Sequence, residues 1–91
     1  MAIEVQKNKV TRQEAEYRLN DLNAIQYVNL KSVDDVTQEW LDDYVKTCER
    51  EIVQLHKSYS DIEAKRFEIQ VRDRITRVRS LCKTVFASRE A

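Results

Sequence analysis

Apolar residues recur along this chain in three helical phases, and the middle phase is the widest. From Val33 to Tyr59, at 100° per residue, Val33, Trp40 and Tyr44 fall on one flank and Val45 and Ile52 on the other. Val36, Leu41, Cys48, Leu55 and Tyr59 fill out an apolar arc of roughly 200°. A helix with so broad a face predicts two neighbours, and the chain supplies a candidate on each side.

Before it, Thr11 and Glu14 form a capping-box pair, and a first helix is predicted over about residues 11–30 with Ala15, Leu19, Leu22 and Ile25 as its main apolar line. A second line lies nearly opposite: Val10, Tyr17, Ala24 and Val28, with Tyr27 nearby. A three-helix monomer has no evident use for it. After the middle helix, Val71, Ile75, Val78, Cys82 and Val85 restore the rhythm, and Phe67, Leu81 and Phe86 widen that face to about 140°.

The breaks are marked by side chains rather than by glycine. Ser32 with Asp35 predicts one helix start, and Ser60 with Glu63 another, which places a turn at Ser58 to Ser60 where the middle phase is lost. A helix running on without a break past Tyr59 is the alternative. Residues 1–10 alternate only briefly, at Ile3 and Val5, and read as a flexible or extended arm. Three predicted helices, about 11–30, 33–58 and 60–88, make a single all-α domain over 1–91: an antiparallel three-helix bundle, built as a helical hairpin over 33–89 plus the N-terminal helix. The third helix has the rhythm to extend as a coiled coil.

Composition narrows the chemistry. The 91 residues include no glycine and no proline, so sheets with tight turns are disfavoured, and phosphate-binding loops, dinucleotide fingerprints and nucleophile elbows are excluded. Charged residues make up 35% and hydrophobic ones 42%, too apolar for a disordered tail and too interrupted for a membrane span. Lys7, Lys9 and Arg12 are followed by Glu14 and Glu16 rather than by an apolar block, so no signal peptide is read and a cytoplasmic protein is expected.

Cys48 and Cys82 sit at core spacing, too far apart along a hairpin folded at Ser60 to bridge, and two buried reduced thiols are expected. The single histidine, His56, lies at the edge of the middle helix with no acid three or four residues away on that helix. With the two cysteines it would need ligands from three levels of the bundle, so no metal site is read. No carboxylate pair stands out as acid and base, and neither an enzyme nor a cofactor is expected.

Charge is polarised although lysine plus arginine and aspartate plus glutamate balance at 16 each. Asp34, Asp35, Glu39, Asp42 and Asp43 crowd the start of the second helix; Arg72, Arg74, Arg77, Arg79, Lys83 and Arg89 crowd the end of the third. In a hairpin folded at Ser60 these clusters face each other, which predicts mixed ion pairs between them. Lys65, Arg72, Arg79 and Lys83 also share one side of the third helix, a candidate contact for nucleic-acid phosphates, although no aromatic residues interleave with them. The reading favoured by the surplus of apolar surface is a protein-protein interaction module, an adaptor, assembly factor or regulatory subunit that self-associates. Its candidate interface residues are Val10, Tyr17, Ala24, Tyr27, Val28, Trp40 and Tyr44.

Overall fold

A computed structural model describes residues 11–90 of the chain. It is all-α: α1 spans Arg12–Asn23, α2 Gln38–Ser58 and α3 Asp61–Glu90, and no strand occurs among the described residues. The predicted arm, and Val10 with it, lies outside them.

Each helix begins on a hydroxyl side chain. Thr11 Oγ1 accepts the amide of Glu14 at 3.1 Å, starting α1 as predicted. Ser32 and Asp35 do form a capping box, but it closes a single 3-10 turn, Val33–Asp35, rather than opening α2. The cap of α2 is Thr37, whose Oγ1 accepts from Trp40 N at 3.0 Å. The chain breaks at Tyr59 and Ser60, and there is no continuous long helix: Tyr59 is extended at φ −125°, and Ser60 Oγ donates to Glu63 Oε1 at 3.1 Å. An extended backbone with a side-chain cap turns the chain there without glycine.

The first helix ends seven residues earlier than the periodicity predicts, at Asn23 rather than about residue 30. Leu22 and Ile25 continue the apolar phase, but Asn23 diverts the chain. Its Nδ2 donates to the Leu30 carbonyl and its Oδ1 accepts the Leu30 amide, both at 2.8 Å. This pair of bonds closes a loop over residues 23–30, within which Tyr27 takes a left-handed φ of 70°. Asparagine competes for backbone groups in this way, and the competition overrides the periodicity.

The organising helix is α3, not α2. Both α1 and α2 pack along α3, while α1 makes little direct contact with α2. The broad apolar arc of α2 is instead covered by the connection between α1 and α2: Val28, Leu30, Val33 and Val36 are buried in the same core cluster as Leu41, Tyr44, Cys48 and Ile52. From α3 the cluster takes Val71, Ile75, Val78, Cys82 and Val85, the phase the sequence predicts. Both cysteines are fully buried and unbridged, as expected.

Contacts orient the helices. His56 meets Glu68 and Glu51 meets Arg74, so α2 and α3 are antiparallel, with a register about one helical turn beyond a hairpin folded symmetrically at Ser60. Arg12, at the start of α1, pairs with Asp34 just before α2. Gln26, just past the end of α1, reaches Tyr44 and Arg74 midway along the hairpin. Thus α1 runs opposite to α3 and in the same sense as α2, and the connection doubles back to begin α2. Being only 12 residues long, against 21 and 30 for its neighbours, α1 covers just part of the α2–α3 seam.

Candidate functional site

Where α1 stops, a groove of about 820 Å³ opens beside the seam. Ile25, Leu55, Phe67, Val71 and Leu81 supply its apolar lining, and Asp21, Glu51, Asp73, Arg74 and Arg77 its charged edge. Phe67 is half-buried and meets the exposed Tyr59 edge-on at a centroid distance of 5.1 Å, so an aromatic pair lies between the groove and the hairpin tip. The groove follows directly from the early end of α1, because a first helix running to residue 30 would fill it.

One wall of the groove is a polar cluster that the sequence reading did not assemble. Arg74 projects from α3 into the seam, where its side chain is only 14% exposed. It forms an ion pair with Glu51, donates to Gln26 Oε1 at 3.0 Å, and places Nη2 at 3.6 Å from Cys48 Sγ. Its guanidinium carbon stands 5.2 Å from the centroid of the Tyr27 ring, and its Nε is buried without a hydrogen-bond partner. Alongside, Tyr44 Oη donates to the carbonyl of Gln26 at 2.9 Å. Burial is the main cause that pushes the Tyr44 phenol up to about 12; the nearby Cys48 adds to it and Arg74 opposes it. Burial, the largest single influence on Arg74, works to lower it, but the bonds to Cys48 and Glu51 together with their charges hold it above its ordinary value. The cluster keeps a neutral phenol and a paired cation at the core edge, an arrangement that fixes the loop over 23–30 in place.

A second cluster lies on the opposite side of the hairpin. His56 Nε2 and Glu68 Oε1 are 2.7 Å apart, and Arg72 Nε donates to Glu68 Oε2 at 2.7 Å. The hydrogen bond from His56, followed by that from Arg72, lowers the Glu68 carboxyl below its usual value. No acid stands three or four residues from His56 on α2; its acid partner comes across the seam from α3. Among the described residues, no group of three or more histidine, cysteine, aspartate and glutamate side chains is placed to hold a metal.

The predicted interface residues do not form one surface. Val28 is 7% exposed and Tyr44 6%, so both belong to the core. For Val28 this corrects the expectation, because α1 has ended before it; for Tyr44 burial agrees with its place in the apolar arc of the middle helix, which the connection covers. Trp40 is half-buried and stacks on Tyr44 at 5.4 Å between centroids. Tyr17 and Tyr27 are exposed at 60% and 64%, but Tyr27 leaves the helical line and its ring covers Arg74. Ala24 is exposed and borders the groove.

The predicted basic row is interleaved with acids. Lys65 pairs with Asp61 at 3.6 Å and Arg72 with Glu68, while Arg79 lines a shallow groove of about 170 Å³ together with Val45, Glu49, Arg72, Ile75 and Thr76. Lys83 is exposed. The predicted pairing of Asp42 and Asp43 with basic residues near Arg77 is replaced by other contacts: Asp42 accepts from Gln38 at 2.9 Å, Asp34 takes Arg12, and the ion pairs joining α2 to α3 lie nearer the tip. The one-turn change in register moves Asp43 away from Arg77, which instead falls level with Thr47 and Cys48.

No helix among the described residues is long and apolar enough to cross a membrane. No family model, curated protein or solved structure matches the chain.

Proposed function

We propose that this chain is a helical protein-protein interaction module that self-associates, an adaptor, assembly factor or regulatory subunit rather than an enzyme. The observation that carries this reading is the groove left beside the short α1, about 820 Å³ with Ile25, Leu55, Phe67, Val71 and Leu81 in its lining. An unfilled seam between two long helices is the natural seat for a further helix, whose apolar residues would complete the layer that α1 begins. Exposed Tyr59 beside Phe67 supports the same reading, because aromatic side chains contribute large contact area at modest entropic cost.

The basic row of Lys65, Arg72, Arg79 and Lys83 is a weaker basis for nucleic-acid binding, since two of its four members are paired with acids and the formal net charge of the chain is zero. Light scattering behind size exclusion, at two protein concentrations and at low and high salt, tests the proposal. A salt-resistant dimer that Phe67→Glu converts to a monomer of unchanged helicity supports it. A monomer under every condition overturns self-association, and a dimer unaffected by Phe67→Glu moves the interface away from the groove.

A further inference from the structure

The loop over 23–30 is built in layers. Outermost are Gln26 and Tyr27, both exposed; beneath them lies the Arg74 guanidinium, which Gln26 accepts from at 3.0 Å and the Tyr27 ring faces at 5.2 Å. Beneath Arg74 lies Cys48, fully buried, with its sulfur 3.6 Å from Nη2. The base of the loop is fixed independently of this stack. Asn23 bonds both main-chain groups of Leu30 at 2.8 Å, and Val28 and Leu30 are anchored in the core. Between these fixed ends, residues 24–27 bury no side chain fully, and Tyr27 holds a left-handed backbone that an aromatic residue adopts only under constraint.

We propose that residues 24–27 form a latch that opens locally, ahead of unfolding of the bundle, with the Gln26–Arg74 contact as its pin. Opening breaks the bonds of Gln26 to Tyr44 and Arg74 and the bond from the Val28 amide to the Ile25 carbonyl, lifts the half-buried Ile25 from the core edge and separates the Tyr27 ring from the cation, but leaves the Asn23–Leu30 clamp and the buried anchors in place. It also releases the backbone constraint at Tyr27. Arg74, still paired with Glu51, then swings toward the groove that both residues line, which uncovers Cys48 and extends the groove toward Tyr44. Low-stability openings of this kind occur where few buried side chains and few internal bonds hold a segment between firm ends. The latch is a property of the isolated chain and stands apart from the proposal of self-association.

The two cysteines provide the test, because both are fully buried and only Cys48 lies beneath the latch. The unmodified protein is treated with iodoacetamide in sub-denaturing urea, and labelling at each cysteine is followed by peptide mass spectrometry. Local opening gives Cys48 a rate that changes little with urea and is about tenfold or more above that of Cys82 in its absence, whereas Cys82 follows global unfolding and accelerates steeply. The exposed substitution Gln26→Ala, which removes the pin's side chain, should raise the Cys48 rate about fivefold with the Cys82 rate unchanged. Two cysteines that label with the same steep urea dependence overturn the latch. So does a Cys48 rate that Gln26→Ala does not alter, since opening would then occur elsewhere.

Discussion

Arg74 and Cys48, separated by 26 residues in sequence, lie with Nη2 3.6 Å from Sγ, so a cation is held against a fully buried thiol. A guanidinium in that position has lost much of its water, and the loss is offset only because Glu51, Gln26 and the Tyr27 ring surround it. The cluster joins α2, α3 and the connecting loop in one place. Its worth is therefore best measured as a coupling.

Replacing Arg74 by Met should destabilise the fold by about 2 kcal/mol, because Glu51 and Gln26 lose their shared donor, while Glu51→Gln costs about 1 kcal/mol. The double variant should cost close to the larger single value rather than the sum. Urea midpoints of the four proteins check this. Strict additivity would mean that the pair contributes through unrelated contacts.

Tyr27 separates a backbone effect from a side-chain effect. At φ 70° any residue with a Cβ is disfavoured, and glycine is not. Tyr27→Gly should therefore be more stable than Tyr27→Ala by about 1 kcal/mol, both variants having lost the contact with Arg74 equally. Thermal unfolding of the two, compared directly, decides the point. Equal stabilities would show that the left-handed conformation carries no cost at this position.

Glu68 makes the fold sensitive to acid. Its carboxyl is lowered first by the hydrogen bond from His56 and then by that from Arg72. A carboxyl lowered in the folded state contributes stability that is present above its unfolded pKa, about 4.3, and is lost as pH falls through the lower folded value. Glu68→Gln should flatten that acid limb and leave the rest of the curve in place. Urea midpoints taken from about pH 6 to about pH 3 read this out, and parallel curves for the two proteins would refute it.

The three helical phases, the caps at Thr11 and Ser60, and the core face of α3 were legible because each depends on local spacing or on a side chain within three residues of its target. Less legible was whatever depended on a choice between local and distant partners. Asn23 lies in an apolar rhythm that continues to Ile25, and nothing in its neighbours announces that its amide will bind Leu30 instead. That one choice shortens α1, buries Val28, turns Tyr27 away from the helical line and opens the groove. The breadth of the α2 arc was a sound indication that it has two neighbours, but spacing does not say whether a neighbour is a helix or a doubled-back connection. Arg74 stands within a run of arginines, and its distinction from Arg72 and Arg77 is an angular one. It falls on the flank of α3 facing the seam, so a helical wheel with the correct register would have singled it out.

Tyr44 gives the opposite pH limb. Its phenol is pushed up to about 12, chiefly by burial, and donates to the Gln26 carbonyl at 2.9 Å. The folded chain holds that proton more tightly than the unfolded chain, whose tyrosine titrates near its ordinary value of 10.0. Above pH 10 the unfolded state binds fewer protons, so stability falls as pH rises toward about 12; below pH 10 the contribution is fully present. Tyr44→Phe keeps the ring stacked on Trp40 but removes the ionisable group and the bond to Gln26. It should cost about 1 kcal/mol at neutral pH and make the alkaline decline shallower. Because Gln26 belongs to the latch, the same substitution should also hasten Cys48 labelling. A variant that loses neutral stability yet keeps the wild-type alkaline slope would assign that slope to other groups.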